Sequence, residues 1–311
     1  MNAAELIRLK QEHVERYGPW TAHNIHLGDG VYTMGTPVMG GNEARLRRAV
    51  QVCADLVALP FEELRVADLG ALEGGFAVEF ASRGARVVAI EGRESSIKKA
   101  CFAKAALGLD ALELVHDDVR NFDEQRFGRF DIVLAVGLVY HLDIPEVFDF
   151  LSKMRAACKR IAIVDTEITP ESQARNVFDR NGVTYRGLRY EEPTGPALDR
   201  DVLWSSLGNR QSFKPTRASL LNALFDSGFT SAFECHLPPV RDGRAERATI
   251  IAVSGLPQEF ITNSSLNDAP LARVPEFDLV LDKGASPLAR RLRRRLPTIV
   301  RRGAKRVLGR S

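Results

Sequence analysis

Between Leu64 and Lys159 short apolar runs alternate with segments whose apolar positions recur at helical spacing. In order they read RVADLG, GGFAVEFASRG, RVVAIEG, ESSIKKACFAKAALG, LELVHDD and FDIVLAVG, then a stretch from Pro145 to Cys158 and the run RIAIVDTE. The runs are rich in Val, Ile and Leu without strict alternation, the pattern of strands covered on both faces. Five of them joined by mostly helical connections predict an α/β fold, a parallel sheet with helices on both faces. Further on, ASLLNALFDSG predicts a helix, and SAFECHL and RATIIAVSG predict a terminal β-hairpin.

The flanks follow other patterns. Ala3 to Tyr17 reads as a helix, and WTAHNIHLGDGVYTMGTPVMGG after it as a turn-rich flap. Asn42 is placed to cap a second helix, with Leu46, Val50, Val52, Leu56 and Val57 on one face, ending before Pro60. Thr169 to Thr216 shows no clear period and carries turn signals at Asn181-Gly182 and Gly208-Asn209, which suggests a substrate-covering insertion. The predicted organisation is an N-terminal helix and flap (1–45), a central domain (46–256, insertion 169–216), and a linker with a basic tail (257–311).

Composition narrows the function classes. The 311 residues are 45% hydrophobic and 27% charged, enough for a full core. No apolar run reaches the roughly 18 residues of a membrane span, and the amino end lacks a signal peptide's apolar centre, so a cytoplasmic protein is expected. Cys53, Cys101, Cys158 and Cys235 form no C-x-x-C pair, so no metal site is expected from them, and His23 and His26 have no thiolate or carboxylate cluster beside them. The net charge of +3 conceals ten Lys or Arg and no acid in Gly284–Ser311, which leaves the rest at −7. An acidic body disfavours a nucleic-acid-binding core. The tail, with Leu and Arg interleaved, reads as a contact for anionic membrane, as a solvated extension, or as a contact for RNA.

The sharpest local signal runs from Val66 to Phe76, a strand ending in Asp68 followed by Gly70-Ala71-Leu72-Glu73-Gly74-Gly75. A glycine turn between strand and helix lets a ligand approach the backbone, but a carboxylate at Asp68 would repel the pyrophosphate that a dinucleotide fingerprint cradles. The next strand ends in Glu91, suited to ribose hydroxyls, and the one after in Asp117-Asp118, either of which can accept from an adenine amino group. Three acids at successive strand ends describe a site for an adenosine that carries positive charge, which S-adenosylmethionine is.

On these residues the stretch from Leu64 to Ser254 resembles the class I S-adenosylmethionine-dependent methyltransferases. The resemblance implies a Rossmann-like seven-stranded sheet with a terminal antiparallel hairpin. It also implies that Asp68, Gly70 and Gly74 line the cofactor's methionine end, Glu91 the ribose, and Asp118 or Asp117 the adenine. Val136-Gly137-Leu138-Val139-Tyr140-His141-Leu142, SFKPTRASLLNALFDSGF, and Trp20 upstream of Leu27-Gly28-Asp29-Gly30 are distantly similar to the tRNA wobble-uridine (carboxy)methyltransferase-like group. Leu142 stands where that group's use of a carboxylated cofactor would call for a basic residue, which favours plain methyl transfer.

The expected function is therefore methyl transfer, with oxygen of a small molecule or glycan as the acceptor. The alternatives are a tRNA-modifying enzyme and a catalytically idle cofactor-binding partner. His141 is the candidate general base; its other role is to pack the loop while Tyr140 contacts the cofactor. Trp20, Tyr32 and Thr33 either close over the cofactor or substrate or simply pack. Asp165 and Glu167 face the acceptor or sit as solvated strand ends. Phe213, Lys214 and Arg217 contact the acceptor or merely precede a helix.

Overall fold

The computed structural model describes residues 2–35, 41–192, 205–235, 246–269 and 273–276. The expected membrane contact of the basic tail, and the turn that joins the last two strands, lie outside the described residues.

The central sheet has seven strands: β3 (Arg65–Leu69), β4 (Arg86–Glu91), β5 (Leu112–His116), β6 (Phe130–Val136), β7 (Cys158–Glu167), β11 (Ser231–Glu234) and β12 (Arg247–Val253). Their order is β11-β12-β7-β6-β3-β4-β5. From β5 to β7 all neighbours are parallel, and β12 runs antiparallel between β7 and β11. This is the parallel sheet with a terminal hairpin that the apolar runs predict, in the seven-stranded Rossmann-like form that the resemblance implies.

Alternate residues of each strand feed two cores, because successive side chains of a strand point to opposite faces. On one face Ala67, Leu69, Val133 and Val164 pack under α6 (Glu146–Ala157) and α7 (Arg217–Asp226). On the other Val66, Val87, Ile132 and Ile163 pack under α1 (Ala3–Tyr17), α2 (Gly41–Leu56), α3 (Gly75–Ser82) and α4 (Glu94–Leu107). The short α5 (Glu124–Phe127) leads into β6. Near the amino end, β1 (His26–Gly28) and β2 (Val31–Tyr32) form a two-stranded ribbon.

Two expectations need correction. The second helix starts at Gly41, so Asn42 is not its cap; its side-chain amide donates instead to the Ala22 carbonyl, at 2.8 Å. The insertion is not irregular: β8 (Asn176–Arg180), β9 (Val183–Glu191) and β10 (Gln211–Pro215) form an antiparallel sheet in the order β10-β9-β8. Asn181 and Gly182, with φ of 51° and 78°, make the tight turn between β8 and β9.

The segment 273–276 is stitched to α7 by specific bonds. Arg273 makes two hydrogen bonds to the Asp226 carboxylate, at 2.8 and 2.9 Å. Asn222 exchanges hydrogen bonds with the Val274 backbone. The Glu276 carboxylate accepts from the Thr216 and Ser219 hydroxyls in the first turn of α7, where a negative charge is favourable.

Candidate active site

The glycine turn after β3 is shaped by backbone geometry. Gly70 and Gly74 have φ of +72° and +81°, and a Cβ at Gly74 would lie 2.8 Å from the Ala100 Cβ. Gly74 caps α3, and the amides of Gly70 and Ala71 both donate to the Ile90 carbonyl. The turn therefore holds β3 and β4 side by side at their carboxyl ends.

Two acids occupy those ends. Asp68 is 3% exposed, and one carboxylate oxygen accepts from the Ala77 amide at 3.1 Å. Burial first, and the Glu91 charge in addition, push its carboxyl up to about 7. Glu91 is also buried and raised, chiefly by desolvation; its oxygens accept from the amides of Leu72 (2.8 Å) and Arg93 (2.7 Å). Asp68 has no ion-pair partner among the described residues. A buried acid without a cation is unfavourable in isolation, so the pair of strand ends fits a positively charged ligand.

The acids after β5 are more committed. Asp118 is gripped by the Arg120 guanidinium, and Arg120 also reaches the Leu207 carbonyl and the Asn209 side chain. Asp117 accepts from Asn121 and pairs with Arg126, which hold its carboxyl below the ordinary range. Asp118 is thus tied to the segment that returns from the insertion, and Asp117 to α5.

Beyond β6, a short turn at Val139–His141 is braced by the insertion sheet. The His141 Nδ1 lies 3.2 Å from the buried carboxylate of Glu192. The Tyr190 hydroxyl donates to that carboxylate and lies 2.9 Å from the Tyr140 carbonyl. The Asn209 amide donates to the His141 carbonyl, and the Ser212 hydroxyl lies 3.1 Å from the same oxygen. Burial alone would raise Glu192, but the His141 ring and the Ser212 hydroxyl outweigh it and hold the carboxyl down at about 2. Tyr140 sits 4.0 Å, ring to ring, from His141, and its amide donates to Thr166. Burial is the main reason its phenol is raised.

Sequence reasoning missed Glu192, Tyr190 and Ser212, because nothing local in RYEEPTG or RQSFKP signals a partner 50 to 71 residues away. It also missed a buried clamp. Glu73 is fully buried in the glycine turn and accepts from the amides of Thr21, Ala22 and His23. Lys99 pairs with Glu73 and donates to the Pro19 carbonyl. His23 accepts the Gly75 amide on Nδ1, and burial lowers its pKa, so a neutral ring suits this contact.

Other candidates take structural parts. Trp20 is buried against the rings of His13 and Phe102, Tyr32 packs on His26, and the Thr33 hydroxyl bonds backbone groups of His23 and Ile25. Asp165 spends both oxygens on Arg247 and Thr249, at 2.6 Å each, so it is not a free base. Glu167 pairs with Lys214, and Arg217 with Glu234. Phe213 is buried in the core. Among the described residues no three His, Cys, Asp or Glu side chains gather as a metal site, and no helix is long and apolar enough to cross a membrane.

Residues 66–160 match a family model described as a methyltransferase domain. The N-terminal domain of EvdMO1, solved in the presence of S-adenosylhomocysteine and D-fucose, is 23% identical with a TM-score of 0.61, over 81% of this chain and 97% of that one. The same domain with S-adenosylhomocysteine bound is 24% identical, also with a TM-score of 0.61, over 81% of this chain and 96% of that one. Whole EvdMO1 superposes with a TM-score of 0.53 at 23% identity, over 79% of this chain and 47% of that one. At these identities the likeness is one of fold. No curated protein matches the chain.

Proposed function

We propose that the chain, an S-adenosylmethionine-dependent methyltransferase, methylates a hydroxyl oxygen of a small molecule or glycan with His141 as general base. The observation that carries this reading is the buried Glu192 carboxylate beside His141 Nδ1. An ionised Glu192 requires a proton on Nδ1, which leaves Nε2 free to take the proton of an acceptor hydroxyl. Glu192 then faces an imidazolium, and a carboxyl held down at about 2 stays charged to stabilise it.

Asp68, Gly70 and Gly74 would hold the methionine end of the cofactor, and Glu91, positioned by the amides of Leu72 and Arg93, the ribose hydroxyls. Asp118 is preferred to Asp117 for the adenine amino group, because its Arg120 partner also grips the segment crossing that edge. Tyr140 would flank the sulfur. When bound, S-adenosylmethionine supplies a methyl group activated by a positively charged sulfur. The task left to the chain is to align the hydroxyl and take its proton.

EvdMO1's N-terminal domain was solved with D-fucose present, and a sugar is the acceptor class to try first. The distant tRNA-modification resemblance gives the other acceptor, which the acidic balance outside the tail disfavours. The test is calorimetric titration with S-adenosylmethionine, S-adenosylhomocysteine and NAD, followed by labelled methyl transfer to a panel of sugars by wild type and His141→Asn. Binding of neither sulfur ligand would sink the cofactor assignment; transfer undiminished in His141→Asn would remove the base. Cofactor binding without turnover on any acceptor would favour an idle binding partner.

A further inference from the structure

The described residues 205–209 cross the carboxyl edge of the sheet and are fastened there by two arginines. Arg93 Nη2 donates to the carbonyls of Ser205 (2.7 Å) and Ser206 (3.3 Å) and to the Ser205 hydroxyl (3.1 Å). Arg120 donates to the Leu207 carbonyl (3.2 Å) and the Asn209 side chain (2.9 Å). Each arginine follows by two residues an acid assigned to the adenosine, Glu91 and Asp118 respectively. At its other end the segment reaches the base: the Asn209 amide donates to the His141 carbonyl at 2.8 Å, and the Ser206 amide bonds the Glu192 carboxylate.

Between these anchors Leu207 packs onto Gly92. An ideal Cβ on Gly92 would lie 2.3 Å from Leu207 Cδ2 and 3.5 Å from the Asp117 carbonyl, so the leucine occupies the space a side chain at position 92 would take, between the ends of β4 and β5. It is nonetheless 37% exposed, which leaves apolar surface uncovered beside the edge. A flat adenine needs apolar contact on its faces. Gly92 has no side chain to offer it.

We propose that Leu207 forms one face of the adenine pocket and that residues 205–209 are a latch tying occupancy of that pocket to the His141–Glu192 pair. The proposal rests on the cofactor reading given above. The latch shares its fastenings with the adenosine-binding acids, so an adenine seated against Leu207 orders the segment, and Asn209 carries that order to the loop bearing His141.

The experiment uses the full chain, with circular dichroism to confirm folding of each variant, and titrates S-adenosylhomocysteine and 5′-methylthioadenosine. Leu207→Ala is expected to weaken both ligands by about five- to tenfold, since both carry the adenosine half. Gly92→Ala, whose Cβ displaces the leucine, is expected to weaken them similarly, and the double variant to be no worse than the poorer single one. Hydrogen exchange at 205–209 is expected to slow when S-adenosylhomocysteine binds wild type, and to slow less in Leu207→Ala. Unchanged or tighter binding by Leu207→Ala, additive losses, or exchange at 205–209 indifferent to ligand overturns the latch alone. Failure of wild type to bind either ligand overturns the cofactor reading and the latch with it.

Discussion

Replacing Asp68 by Asn keeps the shape of the side chain and removes its charge. In the folded chain its carboxyl is raised to about 7, against an ordinary value of 3.8. For a raised acid the stability contribution is complete below the unfolded value and is lost as pH rises through the folded one. Between those values the folded chain retains a proton that the unfolded chain has released, so each pH unit costs about 1.4 kcal/mol, reaching at most about 4 kcal/mol above pH 7. Ligand-free Asp68→Asn should therefore unfold at a higher temperature than wild type at pH 8, and at nearly the same temperature at pH 4. A cation seated beside Asp68 reverses the shift and expels the proton: about 0.8 proton per cofactor at pH 6.5 and about 0.1 at pH 8. Calorimetry in two buffers of different ionisation enthalpy reads this number directly. Asp68→Asn should release none, and should bind about ten- to a hundredfold more weakly. No proton release by wild type at pH 6.5, or equal release by the variant, would refute the reasoning.

Three further outcomes are expected. Glu192→Gln should lower the rate of methyl transfer at saturating cofactor about 50- to 100-fold, since a carboxylate 3.2 Å from a half-formed imidazolium contributes about 2 to 3 kcal/mol; stopped assays decide it. Lys99→Met leaves the fully buried Glu73 without its cation and should cost about 3 to 5 kcal/mol in urea unfolding, and adding Glu73→Leu should not restore the loss, because the amides of Thr21, Ala22 and His23 then lose their acceptor. Truncation before Gly284 should reduce pelleting with anionic liposomes if the ten basic residues there contact lipid; equal pelleting of both proteins removes that reading.

What could be read from the sequence was what repeats locally. The strands β3, β4, β6 and β7 announce themselves because both faces are buried over most of their length, so each holds a nearly unbroken apolar run. The insertion strands hide because one face meets solvent: β8 reads Asn-Val-Phe-Asp-Arg, with Val177 largely exposed, and the signals there were turns, Asn181-Gly182 between β8 and β9 and Gly208-Asn209 before β10. Asp68, Glu91 and the glycines were legible because a strand end and a turn have local rules. Glu192 was not, since its neighbour Glu191 has the same chemistry but bonds Gln211, and only the register of β9 on β10 decides which of the two meets His141. Trp20 misled for a related reason: a glycine-rich setting suggested an entrance, whereas the ring fills a gap between α1 and α4.

The stitching of 273–276 to α7 has a mechanical side. The chain leaves the described fold at Glu276, whose carboxylate is bonded to Thr216 and Ser219. Thr216 directly follows β10, the strand that carries Ser212 to the His141 loop. Tension on the chain past Glu276 is therefore borne first by two hydroxyls four residues or more past Ser212, at the start of α7, and the Arg273–Asp226 pair passes what remains to the far end of the same helix.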